Sequence, residues 1–105
     1  MPSLKEIATI ANNIEDELQL NLDAVLHKLT QEIGEFNNAI QKYRGIYCKE
    51  KQNDLSEIYS EWGDVIFNLI SILNRLWIDI EKIEDMGNNT LKKFIERKSI
   101  YKKDL

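Results

Sequence analysis

Two short strings carry the chemistry of this chain: QEIGEF at 31–36 and SEWGDV at 60–65. Each sets two acids three residues apart around a glycine, Glu32 and Glu35 in the first and Glu61 and Asp64 in the second. Acids at that spacing share one face of a helix. Spacing alone is weak: 18 acids in 105 residues give roughly three such pairs by chance. The sequence holds two further pairs, Asp54/Glu57 and Glu81/Glu84. The first of these reads as a helix start and the second as a solvated helix face, so neither asks for chemistry. Glu32 and Glu35 instead adjoin the apolar stripe of Leu29, Ile33 and Phe36. Glu61 sits beside Ile58, Val65 and Ile72, with Asp64 and Asn68 on the same flank. Each helix therefore carries two carboxylates on the margin of its buried face. If the two helices pack antiparallel, the four acids converge. Converging carboxylates resist desolvation unless a cation compensates them. With one histidine and one cysteine in the whole chain, the oxygen-rich ligand set selects magnesium, or manganese, over zinc. Magnesium held by a few carboxylates commonly shares its shell with phosphates, which points to phosphate chemistry.

The elements that must position these residues are helices. The only proline is Pro2, and apolar residues recur at three- and four-residue spacing nearly throughout. That is an all-α signature. Ser3 and Glu6 form a capping box for a first helix ending near Leu18. Asn21 caps a second helix, which fades at Tyr43–Gly45. Asp54, with Glu57 three residues on, opens a third that runs to about Trp77. Asp79 caps a fourth, which continues to the basic end KKFIERKSIYKK and is open to interruption at Gly87–Asn89. The third helix is apolar over more than half its circumference, since Tyr59, Phe67, Ile70 and Trp77 fall outside its main stripe. Such a helix is central in a bundle or packs on another subunit as well.

Composition bounds the rest. A chain of 105 residues is read as a single domain spanning 1–105, small enough to gain from oligomerisation. A net charge of −4 argues against a nucleic-acid partner, which would select a basic face. Cys48 is alone, so no intramolecular disulfide forms. No apolar run reaches membrane-spanning length, and acids occupy the N-terminal stretch where a signal peptide would be apolar. A soluble cytoplasmic protein is expected.

HKLTQEIGEFNNAI followed by EIYSEWGDVIFNLISIL resembles the motif pair of the MazG-like, all-α nucleoside triphosphate pyrophosphohydrolases. The pattern there is E-x-x-E on one helix and E-x-x-D on a later one. The likeness runs from about Leu26 to Arg97. It implies a four-helix bundle of the MazG-like type, assembled as a dimer or dimer of dimers, with a site built across subunits. Glu32, Glu35, Glu61 and Asp64 fall on the four magnesium ligands of that pattern. Gln31 stands where many members carry a further glutamate. Lys93 and Arg97 are the nearest match to a lysine and an arginine that hold phosphates, with Lys92 competing. The activity implied is hydrolysis of a nucleoside triphosphate to the monophosphate and pyrophosphate by attack of water at the α-phosphorus. Magnesium and basic side chains take up the leaving group's charge. Glu35 is preferred over Glu32 as the proton acceptor, and nucleotide-pool house-cleaning is the implied role.

Other residues have plainer readings. Asn68, one turn after Asp64, and His27, one turn before Glu32, are candidate substrate contacts. Trp62 is read as core packing. Tyr43, Tyr47 and Trp77 are read as packing aromatics with a secondary capacity to stack on a base. Asn88–Thr90 matches a glycosylation sequon without meaning in a cytoplasmic protein. A phosphoribosyl-ATP pyrophosphohydrolase, with similar acid pairs, is the nearest alternative, and a non-catalytic helical interaction module is the alternative of another class. A mid-helix glycine costs roughly 1 kcal/mol relative to alanine. Gly34 and Gly63 are therefore expected to permit a close helix approach beside the acids.

Overall fold

The computed structural model describes residues 1–46 and 55–103, and within the last helix the side chains of Ser99 and 101–103 are not described. Every regular element among the described residues is helical: α1 (Leu4–Glu17), α2 (Leu22–Arg44), α3 (Ser56–Arg75), a 3-10 turn (Ile80–Lys82) and α4 (Ile83–Lys103). Local chemistry explains the boundaries. The Ser3 hydroxyl accepts the Glu6 N–H while the Glu6 carboxylate accepts the Ser3 N–H, so the capping box is complete. Asn21 Oδ1 accepts the Ala24 N–H at 2.9 Å to start α2. Gly45, at φ 74°, ends it in the left-handed region that glycine adopts without penalty. Asp54, expected to open the third helix, lies outside the described residues, as do Tyr47 and Cys48. Asp79 caps the 3-10 turn through the Glu81 N–H, and α4 follows directly. Gly87–Asn89 does not interrupt α4, because neighbouring turns on both sides carry the helix through one glycine.

α1 and α3 end alike, and neither uses glycine. The Leu20 N–H reaches Glu15 O at 2.8 Å with Gln19 at φ 58°, and the Ile78 N–H reaches Leu73 O at 3.0 Å with Trp77 at φ 59°. These bonds satisfy the last carbonyls, and each holds a side-chain-bearing residue in the left-handed region.

α3 is the hub. α1 and α2 both pack on it, and neither packs on the other. The α1–α3 core gathers Ala8, Ile70 and Ile80, with Ile7, Ile66 and Leu73 against them. Beside it runs a buried polar clamp. The Glu15 carboxylate, 7% exposed, accepts from Ser71 Oγ at 2.7 and 2.8 Å and from Arg75 Nε at 3.0 Å. Arg75 also bonds Asp16 and the Asn12 carbonyl, and Asn74 bonds the Asn12 side chain at 2.7 Å. With its donors matched, the buried charge fixes how α1 sits along α3.

The four-helix bundle expected from the resemblance does not close within one chain. α4 packs on the 3-10 turn and on none of the other α-helices. The radius of gyration is 17.2 Å, where a compact chain of this length has about 13 Å. Leu91, Ile95 and Ile100 on α4 are all more than half exposed, as are Tyr59 and Trp77 in and beyond α3.

Candidate metal centre

The acids are set by the pairing of α2 with α3. These helices run antiparallel, and their register can be followed from cross-contacts. Lys42 Nζ meets Glu57 Oε1 at 3.2 Å, then the Phe36 and Trp62 rings pack at 5.2 Å between centroids. One turn further along, Glu32 faces Glu61 and Asp64. One oxygen from each of these three carboxylates lies within 4.8 Å of the others, a group able to hold a metal ion. Glu35 stands beside them, close enough for its side chain to hydrogen-bond both Glu32 and Glu61.

The electrostatics are those of crowded acids. Burial pushes the Glu32 carboxyl above its ordinary range, and the charges of Glu35 and Asp64 push the same way, with Lys28 opposing. Glu61 is raised by burial first and then by Glu35 and Asp64. Oε2 of Glu32 and Oε2 of Glu61 are shielded from solvent and, among the described residues, have no hydrogen-bond donor. Shielded anionic oxygens without donors, converging from two helices, fit a hard divalent cation.

The remaining predicted residues distribute unevenly. Asn68, 4% exposed, lies one turn beyond Asp64 and donates from Nδ2 to the Asp64 carbonyl at 3.0 Å. His27 is exposed on α2 with its Nε2 3.4 Å from Gln31 Nε2, and it is not among the residues of the acid group. Lys93 and Arg97, with Lys92, sit on the exposed α4 and are not brought to the acids within one chain, because α4 packs on neither α2 nor α3. Trp62 is not core: it packs on Phe36 but is 47% exposed. The close-approach role expected of Gly34 and Gly63 is not realised within the chain. Among the described residues a Cβ built at either position meets nothing within 4 Å, because both lie on the exposed side of their helices. One contributor was overlooked from sequence. Lys28 precedes Glu32 by one turn, an i,i+4 relation that is readable without a structure.

Carboxylates from facing helices that converge on a cation site are a recurrent device of helical-bundle proteins. The family model for the MazG nucleotide pyrophosphohydrolase domain matches residues 20–100, and the chain belongs to that family. Searches of curated proteins and of solved structures found no significant match. At the level of the family, this membership carries nucleotide pyrophosphohydrolase activity on a nucleotide substrate. No helix among the described residues is long and apolar enough to cross a membrane.

Proposed function

We propose that the chain hydrolyses a nucleoside or deoxynucleoside triphosphate to the monophosphate and pyrophosphate, with magnesium held by Glu32, Glu35, Glu61 and Asp64. The observation that carries this reading is the pair of shielded, donor-free oxygens on Glu32 and Glu61 next to Asp64. A divalent cation in this place neutralises phosphate charge and polarises the phosphoryl group. Glu35 is exposed at the edge of the cluster, where it accepts the proton of the attacking water. Attack at the α-phosphorus breaks the α–β anhydride bond and releases pyrophosphate. Lys93 and Arg97 receive that leaving group from the α4 of a second copy, whose apolar stripe covers the exposed face of α3. This arrangement accounts for a fourth helix that, among the described residues, finds no partner helix in its own chain. The role that follows is clearance of unwanted nucleotides from the cytoplasmic pool.

The test is pyrophosphate release from a panel of triphosphates, with phosphoribosyl-ATP included. Release should require magnesium and vanish in Glu61→Gln and in Asp64→Asn. Normal turnover in either variant would remove these acids from the site. A chain that turns over nothing and binds no magnesium is an interaction module instead. Light scattering at micromolar concentration should give a dimer or a tetramer, and a monomer would dismiss the shared site.

A further inference from the structure

Because α1 and α2 both lean on α3 without touching, a groove remains between them, floored by α3. The groove, open to solvent on one side, has a volume of about 150 Å³. Leu18 at the C-cap of α1, Val25 and Lys28 of α2, and Phe67 and Asn68 of α3 line it. The register that brings Glu32 opposite Asp64 places Lys28 opposite Asn68, so the cavity begins one helical turn, about 5 Å, from the acids. A ribose with its 5′ oxygen bridges such a gap.

We infer that this groove is the base subsite of the proposed reaction and that it takes a single-ring base, making pyrimidine nucleoside triphosphates the substrate class. The inference rests on the reading of the acid cluster as the phosphate end of the site. Size is the first argument: the groove's volume of about 150 Å³ matches one six-membered aromatic ring, and the second ring of a purine would have to project beyond it. Surface chemistry is the second. Leu18, Val25 and Phe67 supply apolar contact for a ring's faces, and the Phe67 ring is a stacking platform. The third argument is the polar inventory. Glu15 also borders the groove, but its carboxylate is engaged by Ser71, Arg75 and Asn12. Asn68 is almost fully buried and, among the described residues, spends one N–H on the Asp64 carbonyl. Its Oδ1 and second N–H remain for a ligand. An acceptor beside a donor can pair with the N3–H and a carbonyl oxygen of uracil, or with the 4-amino group and N3 of cytosine. Purine edges offer the same kind of pairing, so Asn68 orients whichever base enters and the size of the groove sets the class.

Steady-state kcat/KM for dCTP, dUTP, dTTP, dATP and dGTP tests this on the 105-residue chain. The pyrimidine substrates should exceed the purines at least about 10-fold. Asn68→Ala should lower the pyrimidine values by about 10-fold or more while leaving the purine values little changed, so the discrimination itself collapses. Leu18→Ala opens the groove at an exposed position and should raise purine turnover relative to pyrimidine by about 5-fold or more. A merely structural role for Asn68 would lower all five substrates together and overturn the assignment, as would purine turnover equal to pyrimidine in the wild type. Equilibrium binding of non-hydrolysable α,β-imido triphosphates with magnesium decides the case in which nothing is hydrolysed. A pyrimidine preference in binding then upholds the groove while the proposed activity fails, and no preference sinks the groove as well. Binding lost at the groove because a second copy fills it would register as affinity independent of the base, which also overturns the inference.

Discussion

Glu32→Gln should make the metal-free protein more stable and at the same time deprive it of stabilisation by magnesium. Asp64 has an oxygen within 4.8 Å of a Glu32 oxygen, and Glu35 lies within hydrogen-bond reach of the same group. Two like charges at that separation repel by about 1 kcal/mol in water-like screening. Physiological salt, with a Debye length of about 8 Å, roughly halves the figure. Removing one charge that faces two neighbours therefore releases about 1 kcal/mol in total, equivalent to a rise in Tm of about 4–8 °C for a chain of this size. The amide also offers donors to the adjacent carboxylates, which adds to the gain. Magnesium at a hundred times its dissociation constant stabilises the wild type by about 2.7 kcal/mol, and most of that increment disappears with a ligand. Differential scanning fluorimetry in EDTA and over a magnesium titration reads both effects in one experiment. A variant that melts lower in EDTA, or that keeps the full magnesium shift, would refute the picture of crowded acids awaiting a cation.

Four further outcomes are expected. Glu32 and Glu61 hold their protons to higher pH in the fold than in the unfolded chain. Their contribution therefore favours the fold in acid and is withdrawn as pH rises from about 4.5, the ordinary glutamate value, through their raised folded values. In EDTA the stability gap between Glu32→Gln and wild type should widen from pH 4 to pH 7, and magnesium should close it at the upper end only; a gap independent of pH contradicts the raised carboxyls. Arg75→Ala strips the partner from the buried Glu15 carboxylate and should cost about 3 kcal/mol, read as a lowered midpoint in urea denaturation. Gly34→Ala adds a methyl where, among the described residues, nothing lies within 4 Å and should stabilise by up to about 1 kcal/mol through helix propensity; a loss of stability would contradict an open position there. Calcium or EDTA in place of magnesium should silence pyrophosphate release while leaving the far-ultraviolet circular dichroism unchanged.

Helix identity and most helix ends were legible in the sequence because they are local. Ser3 with Glu6, Asn21 with Ala24, and Gly45 act within a few residues of themselves. The acids were legible for a similar reason, since a fixed spacing on a helix determines a face and two such faces suffice for a cluster. The convergence of Glu32 with Glu61 and Asp64 follows from one antiparallel pairing. What the sequence withheld depends on which faces meet. Trp62 sits in an apolar stripe by period, yet it is half exposed, because α3 has more apolar circumference than α1 and α2 cover. Gly34 and Gly63 looked like close-approach residues, and their Cβ positions open onto space instead. The fate of α4 was also hidden. Its stripe of Leu91, Ile95 and Ile100 is amphipathic in any context, and nothing in it states whether the complementary face belongs to the same chain. The Glu15–Ser71–Arg75 clamp joins residues almost sixty positions apart and leaves no periodic trace.

The detachment of α4 has a kinetic consequence. α2 and α3 follow one another in the chain, so their pairing is close in sequence and should form early. α1 must then find α3 across a separation of about sixty residues, guided by the Glu15 clamp. Neither step needs a second molecule. The last helix does, under the proposed assembly, since a single 21-residue helix in water has little stability of its own. After dilution from denaturant, the recovery of helical signal should thus be largely unimolecular, whereas the recovery of catalysis should be second order in protein. At low concentration the chain would pause as a folded, acid-bearing and inactive monomer, so that expression level itself sets how much of the population is at work.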